Sequence, residues 1–140
     1  MIVLDTNVLS ALMRKIPEPE VVHWLDAQPG ERIWTSSVSV YEIRFGLNIL
    51  EDGRRKQQLQ QAFEALVSDD LAKRILDLDA AAASEAALMS AEARRTGRSI
   101  EIRAALIAGS VRSRRAVLAT CNIKHFQNTD ITLINPWAAE

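Results

Sequence analysis

The chain has 140 residues, 48% of them hydrophobic and 25% charged, which suits a folded domain with a sizeable core and argues against disorder. Its 17 Lys and Arg against 18 Asp and Glu give a formal net charge of −1, so bulk charge marks neither a nucleic-acid nor a membrane partner. A single cysteine, Cys121, excludes an internal disulfide and a cysteine-rich metal site.

Taken in chain order, Ile2-Val3-Leu4 forms a first strand-sized apolar run, ending at Asp5-Thr6-Asn7, and a helix is expected from about Val8. After Pro17 and Pro19, the spacing of Val21, Val22, Trp24 and Leu25 predicts a helix. Ile33-Trp34 is the second strand-sized run. Val40, Ile43, Leu47 and Leu50 then predict a helix stopping near Gly53, and Leu59, Phe63, Leu66 and Val67 another. Arg74-Ile75-Leu76 is the third strand. Asp79 is the expected N-cap of an alanine-rich helix that Gly97 ends. A helix through Ala104-Ala105-Leu106-Ile107-Ala108 runs to about Arg114, followed by strands at Ala116-Val117-Leu118-Ala119 and Ile131-Thr132-Leu133-Ile134. Strands separated by helices require crossover connections, so the expectation is one α/β domain over 1–140. Its form is a three-layer α/β/α sandwich around a mainly parallel sheet. The chain opens on an apolar strand with no secretory pattern, and no apolar run approaches membrane length. A cytoplasmic protein with no membrane partner is expected.

In such sheets the working site lies beyond the carboxyl ends of the strands, so the polar residues just past each apolar run are the candidates. Asp5 is the first: it can bind a hard cation or act as a nucleophile, or it can cap the following helix. Glu42 is the second. It can point across the same sheet edge, although Ser39 and Glu42 also fit the S-x-x-E capping box. Asn122 is the third, its amide oxygen suited to a metal or a metal-bound water, with a turn or N-cap as the alternative. His23 and His125 lack the spacing of a transition-metal site; His23 belongs on a helix surface, and His125 on substrate or in a loop. Cys121 has no partner base and is expected to be a small buried residue. Arg94, Arg95, Arg98, Arg103, Arg112, Arg114, Arg115 and Lys124 crowd into about thirty residues. That is either a solvated face or a cradle for a polyanion.

Four stretches in series, MIVLDTNVLSAL, SVSVYEIRFGL, GRSIEIRAALIAG and AVLATCNIKHF, with a closing INPW, resemble the PIN-domain ribonucleases, most closely the VapC-type toxins and their FitB-like branch. The resemblance implies an α/β/α fold and Mg²⁺- or Mn²⁺-dependent cleavage of RNA. It also implies a homodimer and neutralisation by a small VapB-like antitoxin, through which alone operator DNA is bound. Family acids fall on Asp5 and Glu42, the accompanying hydroxyl and amide on Thr6 and Asn7, and the fourth polar position on Asn122; Arg98, Arg103 and Lys124 become candidate RNA contacts. In relatives the third stretch reads approximately G-R-x-I-x-x-x-D-A-L-I-A. Counting from Gly97 puts the family's metal-binding acid at position 104, where this chain has Ala104. Losing it lowers site charge from about −3 to about −2 when carboxylates are counted as ligands. Glu101, three residues earlier, is the one nearby substitute, although helical side chains lean toward the N-terminus and so away from the vacated spot. The resemblance thus implies an endoribonuclease impaired in this chain, or a non-catalytic module that binds antitoxin or RNA. A haloacid-dehalogenase-like phosphatase built on Asp5 fits poorly, because Asn7 stands where that chemistry wants a second Asp.

Overall fold

A computed structural model describes residues 1–138. Five strands, β1 (Ile2–Leu4), β2 (Ile33–Ser36), β3 (Ile75–Leu76), β4 (Val117–Ala119) and β5 (Thr132–Ile134), form one sheet in the order β3-β2-β1-β4-β5. All four pairings are parallel, with Leu4 level with Thr35 on one side and Ala119 on the other. The expected mainly parallel sheet is therefore wholly parallel.

Between the strands run α1 (Thr6–Met13), α2 (Pro19–Asp26), α3 (Ser37–Asn48), α4 (Arg54–Ala65), α5 (Ala80–Arg95), α6 (Ile102–Ser113) and the single turn α7 (Ile123–Phe126). Alternation along β1 sorts them into two layers, since successive strand side chains point to opposite faces. Ile2 and Leu4 join a core with Val8, Leu9, Val21, Leu47 and Phe63 from α1 to α4. Val3 joins Met89, Ile107, Ala108 and Val111 from α5 and α6 on the other face. With both faces covered, β1 is apolar at every position, as a central parallel strand requires. Strands this short contribute few ladder hydrogen bonds, so the side chains above and below carry much of the cohesion, about 1.5–3 kcal/mol for each large apolar side chain fully buried. Among the described residues, no helix is long and apolar enough to cross a membrane.

Two local devices set the position of α6. Asp79 caps α5 by accepting from the Ala82 N–H at 2.9 Å. At the other end Gly97, at φ +75°, closes a Schellman turn: the Arg98 N–H donates to the Ala93 carbonyl at 2.8 Å and the Gly97 N–H to that of Arg94 at 3.1 Å. The chain is thereby folded back so that α6 lies against α5. Their approach is so close that a Cβ added at Gly109 would stand 2.4 Å from the Ala82 carbonyl oxygen and 2.8 Å from the Ala86 nitrogen. Both are backbone atoms that cannot swing aside. Gly109→Ala should therefore destabilise the protein by about 1–3 kcal/mol, the usual cost of overpacking, despite alanine's advantage of about 1 kcal/mol in a helix. Urea denaturation measures it; a more stable variant would show that α5 and α6 do not meet this closely.

Candidate functional site

The strand order turns back on itself at β1: the chain adds β2 and β3 on one side, then returns to add β4 and β5 on the other. A crevice opens beyond the carboxyl ends of neighbouring strands at such a switch point, here β1 and β4. Asp5 sits there. Its N–H continues the ladder to the Ala119 carbonyl at 2.9 Å, and its side chain turns down into the crevice, only 5% of the residue remaining exposed. Three donors meet its carboxylate: the Thr6 N–H at 2.8 Å on Oδ1, and the Thr120 hydroxyl at 2.7 Å and the Asn7 amide at 3.1 Å on Oδ2. The Thr6 bond makes Asp5 the N-cap of α1, so the capping reading and the site reading are both met by one side chain. Asn7 also donates to the Thr120 hydroxyl at 3.1 Å and accepts from the Cys121 N–H at 3.2 Å, clipping the end of β1 to the end of β4. Burial pushes the Asp5 carboxyl above its ordinary range; the bonds from Thr120, Thr6 and Asn7, and the nearby His125, pull the other way.

Glu42 projects from the second turn of α3. The expected Ser39–Glu42 capping box does not form. β2 runs to Ser36, and Ser36 is the cap, accepting the Ser39 N–H at 3.1 Å. Ser39 instead accepts from the Thr6 hydroxyl at 3.0 Å, tying the start of α1 to that of α3. Glu42 is thus free of any capping task and faces Asp5 across the cleft. Burial raises its pKa, the Arg103 guanidinium and the Thr6 side chain lower it, and the negative charges of Asp5 and Glu101 raise it further.

One cleft of about 330 Å³ is lined by Asp5, Thr6, Asn7, Glu42, Glu101, Arg103, Ala104 and Asn122. These come from four separate stretches of sequence. Ala104 lies in its wall, 8% exposed, on the first turn of α6. Glu101 is the N-cap of that helix: Oε2 accepts the N–H groups of Arg103 at 2.9 Å and Ala104 at 3.1 Å, while Oε1 takes the Arg103 Nε–H at 3.0 Å. Although burial alone would raise the Glu101 pKa, these bonds hold it below its ordinary value. Arg98 and Lys124 do not line the cleft. Arg98 is exposed beyond the Gly97 turn and donates to the Thr96 hydroxyl at 2.9 Å, and Lys124 is exposed on α7.

Cys121 corrects an expectation: it is exposed, because the chain leaves the sheet immediately after Thr120 and the Cys121 N–H is the group held down. His23 lies exposed on α2, as expected of a helix-surface residue. Ser10, Ile107, His125 and Phe126 also line the cleft, and His125 lies on α7 rather than in a loop. Thr120, wholly buried, is a site residue that the sequence reading does not single out. Its signal is present: it succeeds its strand as Asp5 succeeds β1, and the two strands end level, Leu4 beside Ala119.

The cleft offers carboxylate, amide and hydroxyl oxygens, donor types that suit Mg²⁺ or Mn²⁺ rather than zinc. In number and placement the donors do not fit. Among the described residues no three acidic, histidine or cysteine side chains converge as a metal-holding group. Ala104 contributes none, and the Glu101 oxygens are spent on the α6 N-terminus and Arg103.

The raised Asp5 pKa means that the folded protein holds this proton more firmly than the unfolded chain. Its ionisation therefore costs stability at neutral pH, and the cost is relieved as pH falls through the folded pKa. Thr120→Val removes a bond that lowers this pKa. The Asp5 midpoint, followed by carboxyl NMR titration, should move further up, with a loss of about 1.5–3 kcal/mol at neutral pH that shrinks on acidification. An unchanged or lowered midpoint would refute this description of the buried carboxylate.

A PIN domain profile matches residues 2–131. VapC ribonuclease Y4jK of Sinorhizobium fredii is 36% identical over 137 residues, covering 98% of each protein. Toxin FitB of Neisseria gonorrhoeae is 33% identical over 137 residues, covering 98% of this chain and 99% of its own. Among solved structures, FitAB bound to an IR36 DNA fragment contains a chain matched with a TM-score of 0.89 at 33% identity, over 100% of this chain and 98% of that one. The profile, the full-length relatives and the parallel sheet with its switch-point cleft agree: the chain belongs to the PIN-domain family, alongside the VapC and FitB toxins.

Proposed function

We propose that this protein is a VapC-type endoribonuclease toxin of the metal-dependent kind, acting on RNA phosphodiesters in the cytoplasm, and that Ala104 impairs it. One observation carries the reading: Asp5 and Glu42, 37 positions apart in sequence, line the same cleft as Ala104 at the sheet's switch point. Two carboxylates and a buried methyl group stand where the resemblance leads one to expect three carboxylates. A full set would hold Mg²⁺ or Mn²⁺, which stabilises charge on the phosphate under attack. In this chain Asp5 and Glu42 are the catalytic acids that remain. Asn122 is the polar group on the β4 side of the cleft, and Thr6 and Asn7 orient Asp5 through the bonds described above. Glu101, the possible substitute ligand, contributes little as a donor while it caps α6. Arg98 and Lys124, exposed on the segments before α6 and within α7, contact the RNA backbone outside the cleft, and Arg103 stands at its mouth.

The partners come from the family. A VapB-like antitoxin neutralises the toxin and supplies the operator-DNA contact, a reading supported by the likeness to the FitAB–DNA complex, and the toxin itself is a homodimer. A second reading, a non-catalytic module that binds antitoxin or RNA, is favoured by the incomplete acid set.

Restoring the acid separates the two. Ala104→Asp should produce Mg²⁺-dependent cleavage of RNA at least about ten-fold above the unmodified chain, abolished again by adding Asp5→Ala, with toxicity returning on expression. A purified Ala104→Asp protein that binds RNA without metal and leaves it intact would favour the binding module.

A further inference from the structure

The acid missing at position 104 leaves a second question: what balances Asp5 and Glu42 in a cleft with two carboxylates and no third ligand? The sequence places an arginine, Arg103, directly beside the vacated position. Its guanidinium is not free. Nε bonds to Glu101 Oε1 at 3.0 Å and Nη1 stands 3.8 Å from Glu42 Oε2. The two glutamates come from different helices, and the side chain that spans them is half exposed at the cleft mouth. The backbone strengthens the latch, because Glu101 also accepts the Arg103 N–H and so fixes the residue at both ends.

We propose that Arg103 is the resident counter-cation of this cleft: its guanidinium, held by Glu101, neutralises Glu42 in competition with a divalent ion and so weakens metal binding. The inference rests on reading the cleft as a nuclease metal site. Three observations support it. Among the described cations, Arg103 alone forms a salt bridge with Glu42. Among the described residues the acids around it do not make a metal-holding cluster. A guanidinium at ion-pair distance also offsets the charge of the carboxylate, and a hard cation must displace that pairing before it can share the oxygen.

The test is Mn²⁺ titration by calorimetry on the full chain, carried out on the unmodified protein, Arg103→Gln, Ala104→Asp and the double variant. On top of Ala104→Asp, which completes the donor set, Arg103→Gln should tighten Mn²⁺ binding about ten-fold, the order of effect typical of groups that neighbour metal ligands. The unmodified chain and Arg103→Gln alone should bind weakly, for want of a third carboxylate. Arg103→Lys keeps the charge and should keep binding weak, which loss of packing alone would not explain. Circular dichroism melting of each variant checks that the fold is intact. Equal affinities with and without Arg103→Gln, in a background where Ala104→Asp does bind Mn²⁺, would overturn this inference and leave the proposed function standing. Weaker binding on Arg103→Gln would overturn it as well, by making the arginine an aid to the metal. If none of the four proteins binds Mn²⁺, the metal reading of the cleft falls, and the inference with it.

Discussion

The buried carboxylate of Asp5 is the constraint around which the working end of this protein is built. An aspartate at 5% exposure is costly unless its oxygens are met by donors, and here three converge on it from α1 and from the end of β4. Those donors are themselves fixed. Thr120 also accepts from Asn7 and from the Asn122 N–H at 3.0 Å, and Asn7 holds the Cys121 N–H. One charge thus organises the N-terminus of α1, the exit from β4 and the approach to α7. The same network keeps β1 and β4 level at the crevice, so structural satisfaction of Asp5 and exposure of the site are one arrangement.

Charge in the cleft is unevenly matched. Asp5 and Glu42 are both driven up by burial and repel each other, which a cation between them would relieve. The Asp5 side is balanced by neutral hydrogen-bond donors and the Glu42 side by a guanidinium. The α6 helix contributes through its first turn alone: Glu101 caps it, Arg103 leans back over Glu42, and Ala104 supplies only a methyl group to the wall. Beyond that turn α6 is a core helix pressed on α5 at Gly109, which fixes the height at which position 104 meets the cleft.

Much of this is legible in the sequence because it is local. Short apolar runs bounded by Asp, Ser and Thr mark the five strands to within two residues, and Asp79 and Gly97 mark both ends of α5 through cap chemistry that needs no tertiary context. Asp5 and Glu42 stand out as acids placed past the carboxyl ends of the first two strands. The features that escape depend on long-range neighbours or on an offset of one or two residues. In the Ser36-Ser37-Val38-Ser39 run, extending β2 by two residues moves the cap from Ser39 to Ser36 and frees Glu42. Thr120 looks like an ordinary residue at a strand end until β4 is known to lie beside β1. Arg103 reads as one arginine in a basic stretch. Its engagement shows only once α3 and α6 are brought together.

Central to the proposed chemistry is that position 104 shares one cation site with Asp5 and Glu42. Anomalous diffraction at the manganese edge, from Mn²⁺-soaked crystals of the Ala104→Asp variant, tests it directly. A single shared site requires one peak within ligand distance of Asp5, Glu42 and the carboxylate introduced at 104. A well-formed crystal with no peak in this cleft, or with the ion held elsewhere while the new carboxylate points away, would contradict it.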